Sequence, residues 1–291
     1  MPELPEVELV ARYLRPHLLG RRIARIATTR PSYFFLTAPA LLQKQLPKRS
    51  VTSLTRIGKY LIAGLDNQQS LLLHLGMTGQ LIMASVHNPR LVTSKQKQLR
   101  EGSTLTEFVP DEHTHLSVYF DDQGPLLYFR DTRKFGKVRL LGVGQSDPRL
   151  DKLGPDALTI STSDLVLASR SRRAKAKALL LDQTVLAGVG NIYADETLYS
   201  AGIHPERPAN ALSESDCAAL AKTIRSILRK SIRAGGSSID DYVHPDGSDG
   251  SFQTRFNVYD RQGEDCRRCN GKIQRIVIGQ RSTHFCPNCQ R

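Results

Sequence analysis

A multidomain α+β protein is the fold class this sequence predicts, and three observations carry the prediction. From Arg22 to Val143 the chain passes through short β-type runs separated by turn residues, as a β-sandwich or barrel would. From Ser163 to Ala234 the apolar spacing becomes helical, predicting a second, helical domain. In the last 26 residues four cysteines stand as two Cys-x2-Cys pairs, predicting a small metal module. At roughly 150 residues per domain, 291 residues allow about two domains with cores of their own, which excludes a disulfide-stapled miniprotein.

Pro5 to about Leu19 reads as a helix: Pro5 suits a first helical position, and Val7, Val10, Leu14 and Leu18 recur at three- to four-residue spacing. Pro16 should kink or shorten it. The strand candidates follow as RIARIATT, SVTSLTRI, YLIAGL, SLLLHLG, QLIMAS, THLSVYF, PLLYFRD and KVRLLGV, with turns such as Asp66-Asn67 and Asp121-Asp122-Gln123-Gly124 between them. Asn88 to Glu112 is polar, with four cations matched by four acids, and reads as a flexible insertion. Helices are expected over Ser163–Leu181, Asn191–Ala201 and Ser213–Ala234, each opened by a capping-type residue. Gly235 to Gly250, rich in Gly, Ser and Asp, reads as a mobile loop, and beyond it FNVY, IQRIVI and STHFC are strand-like. These patterns divide the chain into 1–150, 151–235, 236–259 and 260–291.

With 41 Lys+Arg against 28 Asp+Glu the chain carries a formal charge of +13. The surplus is shared, 21 cations to 12 acids up to residue 150 and 20 to 16 after it, so it is not a detachable basic tail. A polyanionic partner is implied: nucleic acid, an anionic membrane surface or an acidic protein. No apolar run approaches the roughly 18 residues of a spanning helix, and the N-terminus carries three Glu where a secretory signal would carry Lys or Arg. A soluble cytoplasmic protein is expected, with no membrane partner.

Cys266 and Cys269, then sixteen residues, then Cys286 and Cys289 have the spacing of a four-cysteine zinc ribbon. Four thiolates leave no open coordination position, so one structural Zn2+ is expected to contribute folding free energy without activating water. Arg267, Arg268, Lys272, Arg275, Arg281 and Arg291 surround these ligands and offer positive charge to phosphates. Cys217 stands apart and reads as a buried structural thiol.

At the other end, removal of Met1 would expose Pro2 as a secondary amine, and an α-amino pKa of about 7.7–8.0 leaves a nucleophilic fraction near neutral pH. Attack of such an amine on a sugar's anomeric carbon leads to an iminium that has no nitrogen proton to lose. It therefore persists as an electron sink suited to elimination.

PELPEVE at 2–8, GKY at 58–60, HLGMTG at 74–79, RDTRKFG at 130–136, GVGNIYADE at 188–196, AGIHP at 201–205 and the terminal cysteine pairs, in this order, resemble the bacterial formamidopyrimidine-DNA glycosylases over essentially the whole chain. The resemblance implies an N-terminal β-sandwich with flanking helices, a helix-two-turn-helix domain and a zinc finger. It also implies a monomer of the bacterial cytosol and nucleoid acting on double-stranded DNA that contains oxidised purines. On the matching positions, Pro2 would be the nucleophile, Glu3 the acid/base carboxylate and Lys59 the proton donor in β-elimination. Arg281 would be the finger arginine that clamps phosphate and is assigned to δ-elimination. Met77, Arg133 and Phe135 would fill the stack when the damaged base is extruded. Asn191, Arg172 and His113 would bind DNA, with Gly188 and Gly190 letting the helix start at Asn191 approach phosphate. Arg170, Arg172, Arg173, Lys175 and Lys177 would form a basic helical segment. Glu196 would touch the extruded base, and the loop Ser237–Ser251, with Asp240, Asp241, Asp246 and Asp249, would close over it.

Two other readings compete: the related endonuclease VIII type, which prefers oxidised pyrimidines, and an inactive zinc-ribbon DNA-binding protein. Leu4 with the Met77, Arg133 and Phe135 trio argues against the first. Pro2, Glu3 and Lys59 together argue against the second.

Overall fold

The computed structural model describes residues 2–84, 108–238 and 243–291, and the chain folds into two compact units. The first comprises residues 1–2, 6–147 and 235–250; the second comprises 3–5, 148–234 and 251–291.

The helix α1 (Leu4–Leu18), which belongs to the first unit from Glu6 onward, begins one residue before the expected start, and Pro16 falls in its last turn. Its apolar stripe, Val7, Val10, Leu14 and Leu18, is buried as the spacing required. Among the described residues eight strands follow: β1 (Ile23–Thr28), β2 (Val51–Ile57), β3 (Tyr60–Leu65), β4 (Ser70–His74), β5 (Gly79–Met83), β6 (Thr114–Phe120), β7 (Leu127–Asp131) and β8 (Lys137–Leu141). They form two four-stranded antiparallel sheets, ordered β1-β6-β7-β5 and β2-β3-β4-β8. Alternation places the inner face: in β3, Leu61, Ala63 and Leu65 are buried while Tyr60, Ile62 and Gly64 are half-exposed. Phe34 and Phe129 meet edge to face in the core, 4.8 Å between centroids. A short helix, α2 (Pro39–Gln45), was not expected from the sequence; Pro39 at its N-terminus and Leu42 and Leu46 in the core are the signals for it. Of the insertion expected over Asn88–Glu112, residues 88–107 lie outside the described residues. Asp111, at its end, pairs with Arg130 at 2.9 Å.

In the second unit, α3 (Pro148–Asp151) is a single turn, followed by α4 (Thr162–Arg170), α5 (Ala176–Leu181), α6 (Asn191–Ala201) and α7 (Glu214–Arg233). Ser161 with Asp164, and Ser213 with Asp216, form reciprocal capping boxes at the starts of α4 and α7. One long helix over Ser163–Leu181 is not what forms. The chain leaves helical geometry at Ser171, and the N–H groups of Ala176 and Lys177 bond to the carbonyls of Arg207 and Pro205. The carbonyls of Arg172 and Ala174 accept from Asn210 and Ala209. Pairing with 205–210 thus replaces the helix hydrogen bonds over the cation-rich stretch. β9 (Gln274–Ile278) and β10 (Arg281–Phe285) make an antiparallel hairpin, matching IQRIVI and STHFC. The FNVY run forms no strand, because a side chain takes over its N–H groups, as described below. Among the described residues, no helix is long and apolar enough to cross a membrane.

Candidate active site

The two glycines of Gly188-Val189-Gly190 shape the second unit around residues 3 and 4. The Leu4 N–H donates to the Gly188 carbonyl at 3.1 Å, and Gly188, at φ +108°, leaves no room for a Cβ beside the Leu4 side chain. At Gly190 a Cβ would lie 2.4 Å from Glu3 Cδ. That missing methyl group lets the Glu3 carboxylate, 1% exposed, accept from the N–H groups of Gly190 (2.7 Å), Ile192 (2.9 Å) and Tyr193 (3.5 Å). The orphan donors at the start of α6 therefore serve Glu3. This corrects the expectation that they approach phosphate. Gln183 supports the loop, accepting from the Gly188 N–H and donating to the Val189 carbonyl. Pro2, next along the chain, is buried.

Around Glu3 the second unit collects further polar groups. The Asn191 amide donates to the Ser282 carbonyl at 3.0 Å. Lys177, fully buried, reaches the Ser282 carbonyl, Thr283 Oγ1 and the Asp195 carboxylate at 2.6, 2.8 and 2.7 Å. Burial lowers the Lys177 pKa even though Asp195 and Glu3 oppose the shift. Burial first, then the charges of Glu3, Asp195 and Asp260, push the Tyr259 hydroxyl up to about 12 against a hydrogen bond with Asn191. Lys177, expected in a basic helical segment, is instead a buried cation that ties α5 to α6 and β10. Lys175 is likewise committed, to Glu206 at 2.6 Å. Arg172 is half-buried just beyond α4 and donates to the Ala168 carbonyl at 3.2 Å.

Glu196 is 2% exposed, and its two oxygens accept from the N–H groups of Asn257 (2.8 and 3.0 Å), Val258 (2.8 Å) and Tyr259 (3.0 Å) and from the Asn257 side chain (2.9 Å). The expectation that Glu196 meets an extruded base is corrected: its acceptor sites are filled by the chain's own donors. This is also why FNVY, strand-like in composition, forms no strand.

Arg281 follows Gly279 and Gln280, at φ +54° and +62°, which make a two-residue turn and leave Arg281 exposed at the head of β10. Lys59 stands in the first unit on the turn between β2 and β3, after Gly58 at φ +56°, and is half-buried. His113 precedes β6; its carbonyl accepts from the Asp131 N–H at 2.8 Å and its ring lies 3.8 Å from Glu112.

Met77, Arg133 and Phe135 are brought together on two adjoining turns of the first unit. Met77, 37% exposed, lies between β4 and β5; Phe135, 40% exposed, lies between β7 and β8, with the Arg133 guanidinium 4.7 Å from its ring centroid. Gly76, at φ +66°, packs so closely that a Cβ would be 2.5 Å from the Phe135 carbonyl carbon. The sequence reading missed Asp131, the fully buried carboxylate between these turns. An Asp at the end of a strand run, directly ahead of a turn that closes on Gly136, was the available signal. In the loop expected to close over a lesion, Asp240 and Asp241 lie outside the described residues, while Asp246 accepts from the Ser248 N–H and hydroxyl.

The four predicted zinc ligands converge: their sulfurs lie within 4.8 Å of one another, with Cys266 to Cys289 at 3.8 Å and Cys269 to Cys286 at 3.5 Å. A tetrahedron of about 2.3 Å zinc–sulfur bonds requires such separations. Burial and the neighbouring sulfurs push the Cys289 thiol up to about 12, a repulsion that a dication among four thiolates removes. Cys266, Cys269, Cys286 and Cys289 thus fit one structural Zn2+. Cys217 is buried beside Ser169, as expected.

A β-sandwich unit with proline as the second residue of the chain, and a second unit of helices with a four-cysteine zinc finger, is the class of protein that fold and site define. Residues 1–138 match the formamidopyrimidine-DNA glycosylase N-terminal domain, 153–243 its H2TH domain, and 263–291 the zinc finger found in FPG and IleRS. The chain is 42% identical to the formamidopyrimidine-DNA glycosylase of Paracoccus denitrificans (strain Pd 1222) and 39% identical to that of Laribacter hongkongensis (strain HLHK9), each over 100% of both chains. A glycine-to-proline mutant of the Lactococcus lactis FPG in complex with Fapy-dG containing DNA superposes with a TM-score of 0.86, at 36% identity over 100% of both chains. The Lactococcus lactis Fpg bound to abasic-site DNA gives 0.85, at 36% identity over 99% of each. This chain belongs to the formamidopyrimidine-DNA glycosylase family.

Proposed function

We propose that this chain is a bifunctional DNA glycosylase and abasic-site lyase of base excision repair. It removes oxidised purines, 8-oxoguanine and formamidopyrimidines, from double-stranded DNA, as a monomer of the bacterial cytosol and nucleoid. Once Met1 is removed, the Pro2 nitrogen attacks C1′ of the damaged nucleotide. The N–C1′ bond forms as the glycosidic bond breaks, and the base leaves with a proton. Opening of the sugar, with Glu3 moving a proton to the ring oxygen, gives the Pro2 iminium. Loss of a C2′ proton then expels the 3′ phosphate, and a second elimination expels the 5′ phosphate. Water finally releases Pro2. Lys59 supplies a proton in the first elimination, and Arg281 holds phosphate, since a guanidinium stays protonated at neutral pH. His113, Arg172 and Asn191 bind the DNA backbone, and Met77, Arg133 and Phe135 occupy the space the base vacates.

The observation that carries this reading is the Glu3 carboxylate, buried and oriented by the start of α6, one residue from Pro2. A carboxylate fixed beside a secondary amine is what proton shuttling to an opening sugar needs. Borohydride trapping of the Met-processed protein on a duplex with 8-oxoguanine opposite cytosine tests it. A covalent adduct is expected, and Pro2→Gly should weaken both excision and trapping. Faster excision of thymine glycol than of 8-oxoguanine would favour the pyrimidine-directed reading, and absence of any adduct would remove the lyase assignment.

A further inference from the structure

The turns that carry Met77, Arg133 and Phe135 are tied together by polar groups to which the reaction assigns no step. Asp131, 0% exposed, accepts from the Thr78 hydroxyl and the Arg133 N–H through one oxygen and from the Gly136 N–H, at 2.6 Å, through the other. Thr78 Oγ1 itself accepts from the Arg133 N–H at 3.2 Å. The Tyr33 hydroxyl donates to the Arg133 carbonyl at 2.8 Å, and the Lys137 ammonium sits 4.8 Å from the Tyr33 ring centroid. Both main-chain polar groups of Arg133 are therefore held by side chains, although its own side chain is exposed.

We infer that Tyr33, Thr78 and Asp131 are positioning residues that hold Met77, Arg133 and Phe135 as one preformed wedge. The inference rests on the reading of that trio as the stack-filling group. A wedge on loose turns would have to lose its backbone freedom at the moment it enters the stack, slowing extrusion of the base. The frame removes that step in advance. Asp131 binds two loop N–H groups and the Thr78 hydroxyl, so the turn after β4 and the turn after β7 move as a unit. Tyr33 adds a tie from a third segment. None of the three touches the sugar in this scheme, so their loss should appear in extrusion and leave elimination chemistry alone.

The test uses the full-length, Met-processed enzyme and a duplex carrying 8-oxoguanine opposite cytosine, with 2-aminopurine next to the lesion. Stopped-flow fluorescence reports unstacking, and β-elimination at an abasic site in single-stranded DNA reports chemistry without a stack to fill. Thr78→Val and Tyr33→Phe each remove one hydroxyl with little change of shape. Tyr33→Phe, which loses one hydrogen bond, should slow the fluorescence step by about fivefold to tenfold, and Thr78→Val, which loses two, by at least as much, while single-strand elimination stays at the parent rate. Thr78→Ser, which keeps the hydroxyl, should restore the fluorescence step. Parent-like fluorescence kinetics in both Thr78→Val and Tyr33→Phe, with Arg133→Ala slow, would overturn the positioning role and spare the wedge. Parent-like kinetics in Arg133→Ala and Met77→Ala would overturn the wedge itself. Equal losses in unstacking and single-strand elimination would also overturn the inference, because a general structural defect produces that pattern.

Discussion

Gly190→Ala adds one methyl group where the Glu3 carboxylate leaves no room for it. The backbone there, at φ −127°, suits any residue, so strain is not the perturbation. The new Cβ would lie 2.4 Å from Glu3 Cδ and 2.6 Å from Oε1, and it must displace the carboxylate from the N–H groups of Gly190 and Ile192. A hydrogen bond to a charged group contributes about 1.5–3 kcal/mol, so misplacing one of the two short ones should slow a Glu3-dependent step roughly tenfold to a hundredfold. Single-turnover excision of 8-oxoguanine measures it, with borohydride trapping as the second readout. Glu3→Ala provides the reference, and Gly190→Ala added to Glu3→Ala should cost little more, because the methyl group acts through the carboxylate. Parent rates in Gly190→Ala, or full additivity in the double variant, would refute the claim that the glycine exists to admit Glu3.

Three further outcomes follow from the geometry. Glu196→Gln places an amide against N–H donors and strands at least one of them, at about 1–3 kcal/mol per buried donor; the melting midpoint should fall while excision at low temperature changes far less. An unchanged midpoint with a lesion-dependent loss of excision would return Glu196 to base recognition. Cys266→Ser should lower bound zinc, measured by metal analysis, and with it finger folding and DNA affinity; normal zinc content would count against the four-cysteine site. Burial alone would raise the Asp111 carboxyl, but the Arg130 hydrogen bond and charge outweigh it and hold the pKa below the ordinary value. The stability this pair contributes is therefore complete above the usual Asp range and lost as pH falls through the lowered value. Chemical denaturation of Arg130→Met should show a shallower loss between about pH 5 and pH 2 than the parent; identical slopes would refute the linkage.

The sequence made some of this visible and hid the rest for identifiable reasons. Period exposed α1 and α7, which bury one face in a repeating pattern, while apolar composition between turn and glycine signals exposed α6 and the strands of the sandwich, several of them buried on both faces. Cysteine spacing exposed the metal site, since four ligands for one ion leave few alternatives. The failures share a cause. Lys177 read as one more cation of a basic helical segment, yet it is buried because Asp195 and the Ser282 carbonyl, distant in sequence, complete its coordination. FNVY read as a strand because its composition suits one, and Glu196, sixty-odd residues away, supplies the acceptors instead. A local pattern records what a segment buries. It does not record which remote group will satisfy its polar atoms, and the site is built almost wholly from such remote pairings.

The N-terminal heptad shows how far a short motif can be resolved once those pairings are known. Its three glutamates each have a different partner. Glu3 seats on the N–H groups at the start of α6. Glu6, 1% exposed, accepts from the Ser237 N–H and hydroxyl at 2.9 Å, while Gly236 at φ +71° passes against it. Glu8 takes Arg56 at 2.7 Å and Arg12 at 2.8 Å; against the burial that would raise its pKa, these two cations hold the carboxyl below its usual value. Replacing any one by a neutral residue therefore perturbs a different segment. The carboxylates do not share one electrostatic role, and a chain of +13 gives up three negative charges here for position. An uncharged amine gains nothing from the net charge of its protein, so the placement of Pro2 has to come from groups such as these.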